Sequence, residues 1–326
     1  MKTIAFFNNK GGVGKTSLVY HLGWMLADLG YSVVCADLDP QANLTAMFLD
    51  EERLEQLWPD SGKRLSIYGS VYNIKENEGD FSEPHLELID NRLALIPGDM
   101  RLADFENKLS EDWLKASGKD RSAFRSESAF YRIVQHSGKK RRADIALIDV
   151  GPNLGAINRS ALLAAEYIVV PVAADLFSIH GLKNLGPTLR TWRSEWEQRR
   201  SQKPQNAEFD LPTGQMQPIG YVVMQHAVRD DRPVKAYAQW VKRIPEVYRE
   251  AVLESPDDMG NYCLASLKNY RSLMPYAQDA RKPIFALKPS DGALGGHQNA
   301  VKSCYQDFRS LAIRIASACS LSPSQV

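Results

Sequence analysis

Two lysines flank a glycine-rich turn near the start of the 326-residue chain, in the run Lys10-Gly11-Gly12-Val13-Gly14-Lys15-Thr16. Glycine adopts positive φ at little cost, so it lets backbone N–H groups approach phosphate oxygens closely. In such a loop the lysine before a Thr or Ser reaches the β- and γ-phosphates, and the hydroxyl binds Mg²⁺. Here those groups belong to Lys15 and Thr16, with Ser17 beside them. The pattern predicts binding of a nucleoside triphosphate with Mg²⁺. Lys10 is not needed for these phosphate contacts and requires a separate explanation.

The segments on both sides of this loop have the pattern that phosphate binding requires. Residues 4–7 are an apolar run of buried-strand length. After the loop, leucine and methionine recur at helical spacing up to Gly30, a residue type that often ends a helix. Strand, loop and helix in this order place phosphates at a helix N-terminus. Residues 33–36 are predicted as the next strand.

Three carboxylates follow predicted strands. Asp37 and Asp39 come directly after the second strand, where a proline keeps Asp39 extended, and Asp149 ends a later apolar run. A carboxylate at the carboxyl edge of a parallel sheet faces the phosphate loop and can hold Mg²⁺ through its water shell. We therefore predict a magnesium-binding set of Thr16, Asp37, Asp39 and Asp149. The alternative for Asp37 and Asp39 is turn formation with helix capping.

Three blocks of the sequence resemble the ParA/MinD family of deviant Walker A ATPases, a group of P-loop NTPases. They are the phosphate loop with its extra lysine, the stretch 37–45, which reads D-x-D-P-Q-x-N with Ala42 where glycine is usual, and the run 149–155. The resemblance implies a doubly wound, mainly parallel α/β sheet with helices on both faces and nucleotide at the strand carboxyl ends. It also implies ATP as the nucleotide, an ATP-dependent homodimer, and slow hydrolysis stimulated by a ParB-like protein or a cargo adaptor.

The same resemblance gives individual residues their roles. Lys10 crosses the dimer interface to the partner's nucleotide, Asp39 orients or activates the attacking water, and Asp37 supports the metal shell, so the predicted catalytic residues are Lys10, Lys15 and Asp39. Adenine contacts are expected from Gln225 and Pro275. Relatives that segregate DNA bind it without sequence preference through basic residues of their C-terminal half. The matching candidates here are Arg229, Arg232, Lys235, Lys242 and Arg243.

The motifs favour a single domain over residues 1–326, because the phosphate loop and Asp149 must share one site. Two intervals, at about 50–142 and 195–218, add length beyond the segments that carry the motifs, and we interpret them as insertions. The first contains a strand-like run at 93–97. The second is rich in Gln, Pro and Asn from residue 199 to 218, and it is predicted as a long surface loop.

Composition limits the partners and the compartment. The net charge is only +1, so bulk attraction to nucleic acid is not implied and any DNA contact must come from local basic clusters. Four cysteines lie apart without C-x-x-C spacing, as in a reducing cytoplasm, and no secretory signal precedes the loop. No apolar stretch reaches the roughly 18 residues of a membrane span. We expect a cytoplasmic protein, associated with the nucleoid where its cargo is DNA.

Three alternative functions use the same loop. A MinD-like membrane switch needs a basic amphipathic tail, but residues 320–326 carry no Lys or Arg, so a membrane partner is not expected. A reductase of the nitrogenase iron-protein type needs cysteines near 149–155, and none lies between Cys35 and Cys263. The third is an ATP-binding clamp with negligible turnover that acts on a protein partner. Asp39 argues against this clamp, and a turnover assay separates it from an ATPase.

Overall fold

The structure, a computed structural model, describes residues 1–224, 234–268, 270–293 and 295–322, and for 234–238, 271 and 296 it describes the backbone alone. Within these ranges the strands are β1 (Lys2–Phe6), β2 (Val33–Asp37), β3 (Glu87–Asp90), β4 (Leu93–Ile96), β5 (Ile145–Asp149), β6 (Tyr167–Ala173), β7 (Gln217–Met224) and β8 (Cys263–Leu267). The helices are α1 (Lys15–Asp28), α2 (Asn43–Phe48), α3 (Glu51–Leu57), α4 (Ile67–Lys75), α5 (Glu106–Ala116), α6 (Arg121–Glu127), α7 (Ala129–Arg141), α8 (Ala156–Leu163), α9 (Leu176–Ser201), α10 (Val234–Val247), α11 (Met274–Ala280) and α12 (Gly296–Ala318). None of the helices in these ranges is long and apolar enough to cross a membrane.

The eight strands form one sheet in the order β3-β4-β2-β5-β1-β6-β7-β8. Neighbouring strands are parallel throughout, except that β3 runs antiparallel to β4. The predicted doubly wound, mainly parallel α/β fold is confirmed. Because parallel strands are joined by crossover connections, their carboxyl ends meet at one edge of the sheet, where ligands bind in such folds.

The inner strands are buried on both faces, as their nearly continuous apolar sequences require. On β1, Ala5 belongs to one hydrophobic core, whereas Ile4 and Phe6 belong to the other. The first core includes apolar residues of α4 to α9, and the second includes those of α1, α2, α11 and α12. Burial between two helical layers fixes β1, and β1 in turn fixes the start of the loop that follows it.

The interval at about 50–142, which we interpreted as an insertion, supplies an inner strand of the sheet. The run predicted at 93–97 is β4, and β4 pairs in parallel with β2 from Val33↔Leu93 to Ala36↔Ile96. The antiparallel strand β3 then forms the sheet edge beyond β4. Helices α3 to α7 complete the interval. Much of this interval is therefore part of the central sheet and its covering helices.

The second interval begins in a helix, which corrects the loop predicted from residue 199. Helix α9 continues to Ser201 because its last turns are tied to α5. The Arg199 Nε donates to the Trp113 carbonyl at 2.9 Å, and Trp196 is fully buried. The Trp196 indole N–H also donates to the Pro212 carbonyl at 2.9 Å. The irregular segment is thus shorter than predicted, and it is anchored before β7 begins.

Candidate functional site

The predicted phosphate loop joins the end of β1 to the start of α1. Gly12 and Gly14 have φ values of 72° and 85°, in the left-handed region that glycine adopts most readily. Gly14 is the N-cap of α1, and with no side chain it provides no capping bond to the first N–H groups of the helix. A helix start of this kind favours an anion, because free N–H groups and the helix dipole act together.

Lys15, the first residue of α1, is buried at 7% exposure. Burial lowers the pKa of the Lys15 ammonium, and the nearby carboxylates of Asp149 and Asp39 oppose that shift. The lysine therefore lies among the predicted magnesium ligands, inside the protein and next to the free helix N-terminus. A triphosphate bound at this place would add negative charge beside the buried ammonium and so stabilise its charged form.

Asp37 and Asp149 end adjacent strands and are register partners in the β2–β5 pair. Asp149 is fully buried, and neither of its carboxylate oxygens has a hydrogen-bond partner among the described residues. Burial, together with the charge of Asp37, raises the pKa of Asp149, and the nearby Thr16 hydroxyl opposes the rise without reaching hydrogen-bond geometry. A buried carboxylate with two free oxygens beside a threonine hydroxyl fits a Mg²⁺ ion, which prefers oxygen ligands.

Asp37 is also fully buried, but its oxygens already accept hydrogen bonds. The Thr45 amide and hydroxyl donate to Asp37 Oδ2 at 2.8 and 2.7 Å, and the Asp39 amide donates to Oδ1 at 3.3 Å. Burial raises the pKa of Asp37 to about 7, although the bonds from Thr45 oppose the rise. These contacts make Asp37 the residue that ties the 37–45 segment to the end of β2.

Asp39 lies in the loop beyond β2, at 7% exposure. The Gln41 amide donates to Asp39 Oδ1 at 2.9 Å. One carboxylate oxygen of Asp39 thus forms a turn, as the alternative interpretation expected. The N-cap of α2 follows at Ala42, whose φ of 51° is left-handed. An L-residue other than glycine is strained in that conformation by about 1–2 kcal/mol. That strain explains why glycine is the usual residue at this place in the resembling family.

The run 150–155 connects Asp149 to α8 and packs beside Asp39. A Cβ added to Gly151 would lie 3.3 Å from Asp39 Oδ1, so a glycine permits this close approach. The Asn158 side-chain amide of α8 donates to the Gly151 carbonyl at 2.9 Å and to the Asn153 carbonyl at 2.6 Å. The loop is therefore held against the first turns of α8, with its glycine next to the predicted water-activating carboxylate.

The ammonium of Lys10 pairs with a carboxylate that is not a member of the predicted metal set. The Lys10 Nζ forms an ion pair with the Asp175 carboxylate and lies 5.7 Å from the centroid of the Phe177 ring. Asp175 is the N-cap of α9 and accepts from the Ser178 amide at 2.8 Å. Burial raises the pKa of Asp175, but the bonds from Lys10 and Ser178 outweigh it, and the net shift is downward.

A cleft of about 760 Å³ opens beside the first turn of α1. Its walls include Thr16 and Ser17 of α1, and Met274 of α11. Pro275, a predicted adenine contact, is exposed next to Met274 in the first turn of α11. Gln225, the other predicted adenine contact, lies outside the described residues. The cleft thus joins the phosphate loop to the segment in which an adenine contact was predicted.

The predicted DNA-binding residues are described only in part. Lys242 and Arg243 lie exposed on α10, and the Arg243 guanidinium carbon lies 5.1 Å from the centroid of the Trp240 ring. Arg229 and Arg232 lie outside the described residues, as does the side chain of Lys235.

Sequence reasoning missed four residues that shape this site. Asp175 had a signal, because aspartate is one of the preferred residues at a helix N-cap. Thr45 lies in the quoted motif, but its bond to Asp37 depends on the fold. Glu106, which accepts from the first amides of α8, and Asn158 have no local pattern that marks them.

A phosphate loop at the carboxyl edge of a doubly wound parallel sheet, with acidic residues opposite, defines a P-loop nucleotide-binding protein. Residues 1–201 match the model of a family described as an AAA domain, AAA_31, and this match covers more than half of the chain. The chain belongs to this family and to its ParA-like group, so the predicted family is confirmed.

Two curated relatives are similar to this chain over more than half of its length. The cell division protein PomZ of Myxococcus xanthus is 32% identical over 187 residues, which are 57% of this chain and 50% of PomZ. The sporulation initiation inhibitor protein Soj of Bacillus subtilis is 30% identical over 190 residues, which are 58% of this chain and 65% of Soj. The matches thus span between half and about two thirds of the length of these curated relatives.

Solved structures share the fold. A protein of Corynebacterium diphtheriae has a TM-score of 0.73 at 21% identity, over 98% of this chain and 99% of its own. Cyanothece McdA in complex with ATP has a TM-score of 0.65 at 15% identity, over 100% of this chain and 98% of its own. At these identities the likeness extends to the fold alone.

Proposed function

We propose that this chain is an ATPase that dimerises when it binds Mg·ATP, hydrolyses ATP slowly, and positions DNA or another cargo. The observation that carries the nucleotide-binding part of the proposal is the buried carboxylate of Asp149, near Thr16 and Lys15, whose two oxygens have no hydrogen-bond partner in the part of the chain that the structure describes. Leaving a buried carboxylate unpaired is costly, so its retention at a phosphate loop is best explained by a cation and an anion that bind together.

The residues of the site divide the chemistry among them. Lys15 and the free amides at the start of α1 bind the phosphates. Thr16 and Asp149 would hold Mg²⁺, which when bound offsets charge on the phosphate oxygens. Asp37 holds the 37–45 segment through Thr45, so that Asp39 faces the position of the attacking water. Asp39 then orients that water or accepts its proton.

Lys10 belongs to a face that fits a second copy of the chain. Three apolar residues, Leu154, Leu176 and Phe177, are exposed at 41%, 44% and 71% near the loop mouth and the start of α9. In the family that this sequence resembles, the extra lysine crosses to the partner's nucleotide. We propose the same for Lys10, so that hydrolysis requires both subunits and therefore depends on ATP-driven dimerisation.

The cargo is proposed from the relatives. PomZ is named for cell division, Soj of Thermus thermophilus for chromosome partitioning, and a structural relative from Borrelia burgdorferi for plasmid partition. Residues 1–326 would act as a single cytoplasmic ATPase domain. A ParB-like protein or a cargo adaptor would stimulate hydrolysis, and the nucleoid would be the location where the cargo is DNA.

Replacing Lys15 tests the nucleotide site directly. Lys15→Ala removes the cation nearest the phosphates, so we expect calorimetry to show loss of Mg·ATP binding. Lys183→Ala, at an exposed position of α9, is the charge-matched control and should bind as the wild type does. Retained affinity in Lys15→Ala would overturn the phosphate-loop assignment. Wild-type protein that binds ATP but releases no phosphate, even as a dimer, would instead favour the clamp.

A further inference from the structure

Helix α8 begins with a carboxylate supplied from outside its own segment. Its N-cap, Gly155, provides no side chain, and the Ala156 and Ile157 amides donate to the two oxygens of Glu106 at 2.6 and 2.9 Å. Glu106 is the first residue of α5. Free amides at a helix N-terminus are stabilised by a negative charge, and here one carboxylate satisfies two of them.

The contact is close enough to restrict the residue at position 155. A Cβ added to Gly155 would lie 2.6 Å from Glu106 Oε1 and 3.0 Å from Asn153 Oδ1. Only a residue without a side chain lets the carboxylate reach the helix end at these distances.

The helix that Glu106 holds also carries the support of the loop beside Asp39. Asn158, in the first turn of α8, donates to the carbonyls of Gly151 and Asn153. Gly151 in turn packs against Asp39. A continuous series of contacts therefore joins Glu106, α8 and the 150–155 loop to the carboxylate proposed to act on water.

A second contact fixes α8 to α5 one turn further on. The Arg159 guanidinium lies 4.1 Å from the centroid of the Trp113 ring and donates to the Leu109 carbonyl at 3.3 Å. Its charge faces the fully buried carboxylate of Glu127 on α6, at 3.6 Å. The Arg199 guanidinium of α9 also stacks on Trp113, at 4.0 Å. Helices α8 and α9 are thus both attached to α5.

We propose that Glu106 is a positioning residue for hydrolysis: it fixes α8, and through α8 it fixes the 150–155 loop beside Asp39 and the γ-phosphate. This inference deepens the proposed function and rests on it. It also gives the 50–142 interval a role in regulation, because a displacement of α5 reaches the loop through the Glu106 carboxylate in addition to the contacts of Arg159. Nucleotide binding at the loop should reach α5 by the same contacts.

The first test separates chemistry from binding. Glu106 does not touch the phosphate loop, so Glu106→Ala should lower kcat at least tenfold while the Kd for Mg·ATP stays within about threefold of wild type. Glu106→Gln keeps one acceptor oxygen and should give an intermediate kcat. Glu111→Ala, an exposed carboxylate on the same helix, is the matched control and should leave kcat unchanged. A kcat within twofold of wild type in Glu106→Ala would overturn the inference.

The second test uses amide hydrogen exchange and does not depend on turnover. In the wild type, a non-hydrolysable ATP analogue should slow exchange both in 150–158 and in α5. In Glu106→Ala, slowing should persist in 150–158 and be clearly weaker in α5, where the contacts of Arg159 on α8 remain. If both segments respond in the variant as in the wild type, Glu106 is only a structural cap. Absence of turnover in the wild type would refute the proposed function and with it the role of Glu106 in hydrolysis, whereas the exchange measurement would still decide whether Glu106 couples the 150–155 loop to α5.

Discussion

Lys10 and Asp39 have different surroundings, so we expect substitutions at these two positions to block different steps of the ATPase cycle. Lys10 contacts Asp175 at the start of α9, whereas Asp39 packs against Gly151 beside the metal set. Lys10→Ala should therefore bind ATP as a monomer but lose ATP-dependent dimerisation and hydrolysis. Asp39→Ala should bind ATP and dimerise, and then accumulate as an ATP-loaded dimer because its water is not activated. Light scattering with ATP measures the oligomeric state of each variant, and identical oligomeric states would contradict the separate roles.

His21 links the phosphate-loop helix to the C-terminal half and should make stability depend on pH. Its Nδ1 bonds to the Ser17 carbonyl at 2.7 Å, and its Nε2 accepts from the Ile284 amide at 3.2 Å, so the folded protein requires the neutral ring. Burial lowers the pKa of His21 to about 4 from the ordinary 6.5, and the bond to Ser17 opposes this shift. Below pH 6.5 His21 is protonated in the unfolded chain but stays neutral in the folded chain down to about pH 4. The free energy of unfolding therefore falls as the pH is lowered through this range.

The measurement is the free energy of unfolding in urea between pH 7 and pH 4. The wild type should lose up to about 3 kcal/mol more over this range than His21→Gln, whose amide cannot be protonated. His180→Gln, at an exposed position, should follow the wild type. Parallel pH profiles for wild type and His21→Gln would show that His21 is protonated in the folded state.

The residues that could be predicted from the sequence are those whose partners are fixed by local order. Lys15 and Thr16 follow a strand and a glycine turn, and Asp149 ends an apolar run, so their meeting at one sheet edge follows from parallel pairing. Glu106 could not be predicted, because its partners at 156 and 157 are adjacent only after α5 and α8 pack. The ion pair between Lys10 and Asp175 depends in the same way on the neighbouring positions of β1 and β6.

At the scale of elements, helix α9 depends on a close contact with the short π-helix Tyr248–Leu253. A Cβ added to Gly186 would lie 1.8 Å from the Ala251 carbonyl oxygen, so the two backbones touch. Gly186→Ala must displace the π-helix, and we expect a loss of roughly 2 kcal/mol in the free energy of unfolding. Gly79→Ala, with no atom within 4 Å of the new Cβ, is the control and should change stability little. Equal urea midpoints would contradict this packing.

Element boundaries were predicted well where burial and local pattern agree. The run at 93–97 is apolar on both faces, as an inner parallel strand requires, and it forms β4. The end of α9 was predicted too early because its polar composition resembles a loop. Trp196 and Arg199 keep it helical through contacts with residues 212 and 113, which lie 16 and 86 positions away along the chain.

At the scale of the whole molecule, positive and negative charges nearly balance. The net charge is only +1, and several basic residues are already paired, as Lys140 is with Glu83. With so small a net charge, we expect one subunit to present too few contacts to hold a polyanion tightly. Dimerisation would double any basic surface on α10, where Lys242 and Arg243 are exposed. Since log affinity rises with the number of phosphates neutralised, ATP would control binding of a polyanion through the dimer.

We therefore expect the ATP-bound dimer to bind duplex DNA without sequence preference. The test uses Asp39→Ala protein on random duplexes at low salt, with ATP or ADP. Affinity should need ATP and weaken steeply with salt, because the contacts are to phosphates. Adding Lys242→Glu with Arg243→Glu should weaken binding equally on all sequences and make the salt slope shallower by up to about 3.5 for the dimer. Lys302→Glu with Arg309→Glu, exposed on α12, is the charge-matched control and should bind as the parent does. If ATP makes no difference, or if both double variants bind equally, DNA is not held by α10, and a protein cargo becomes the better proposal.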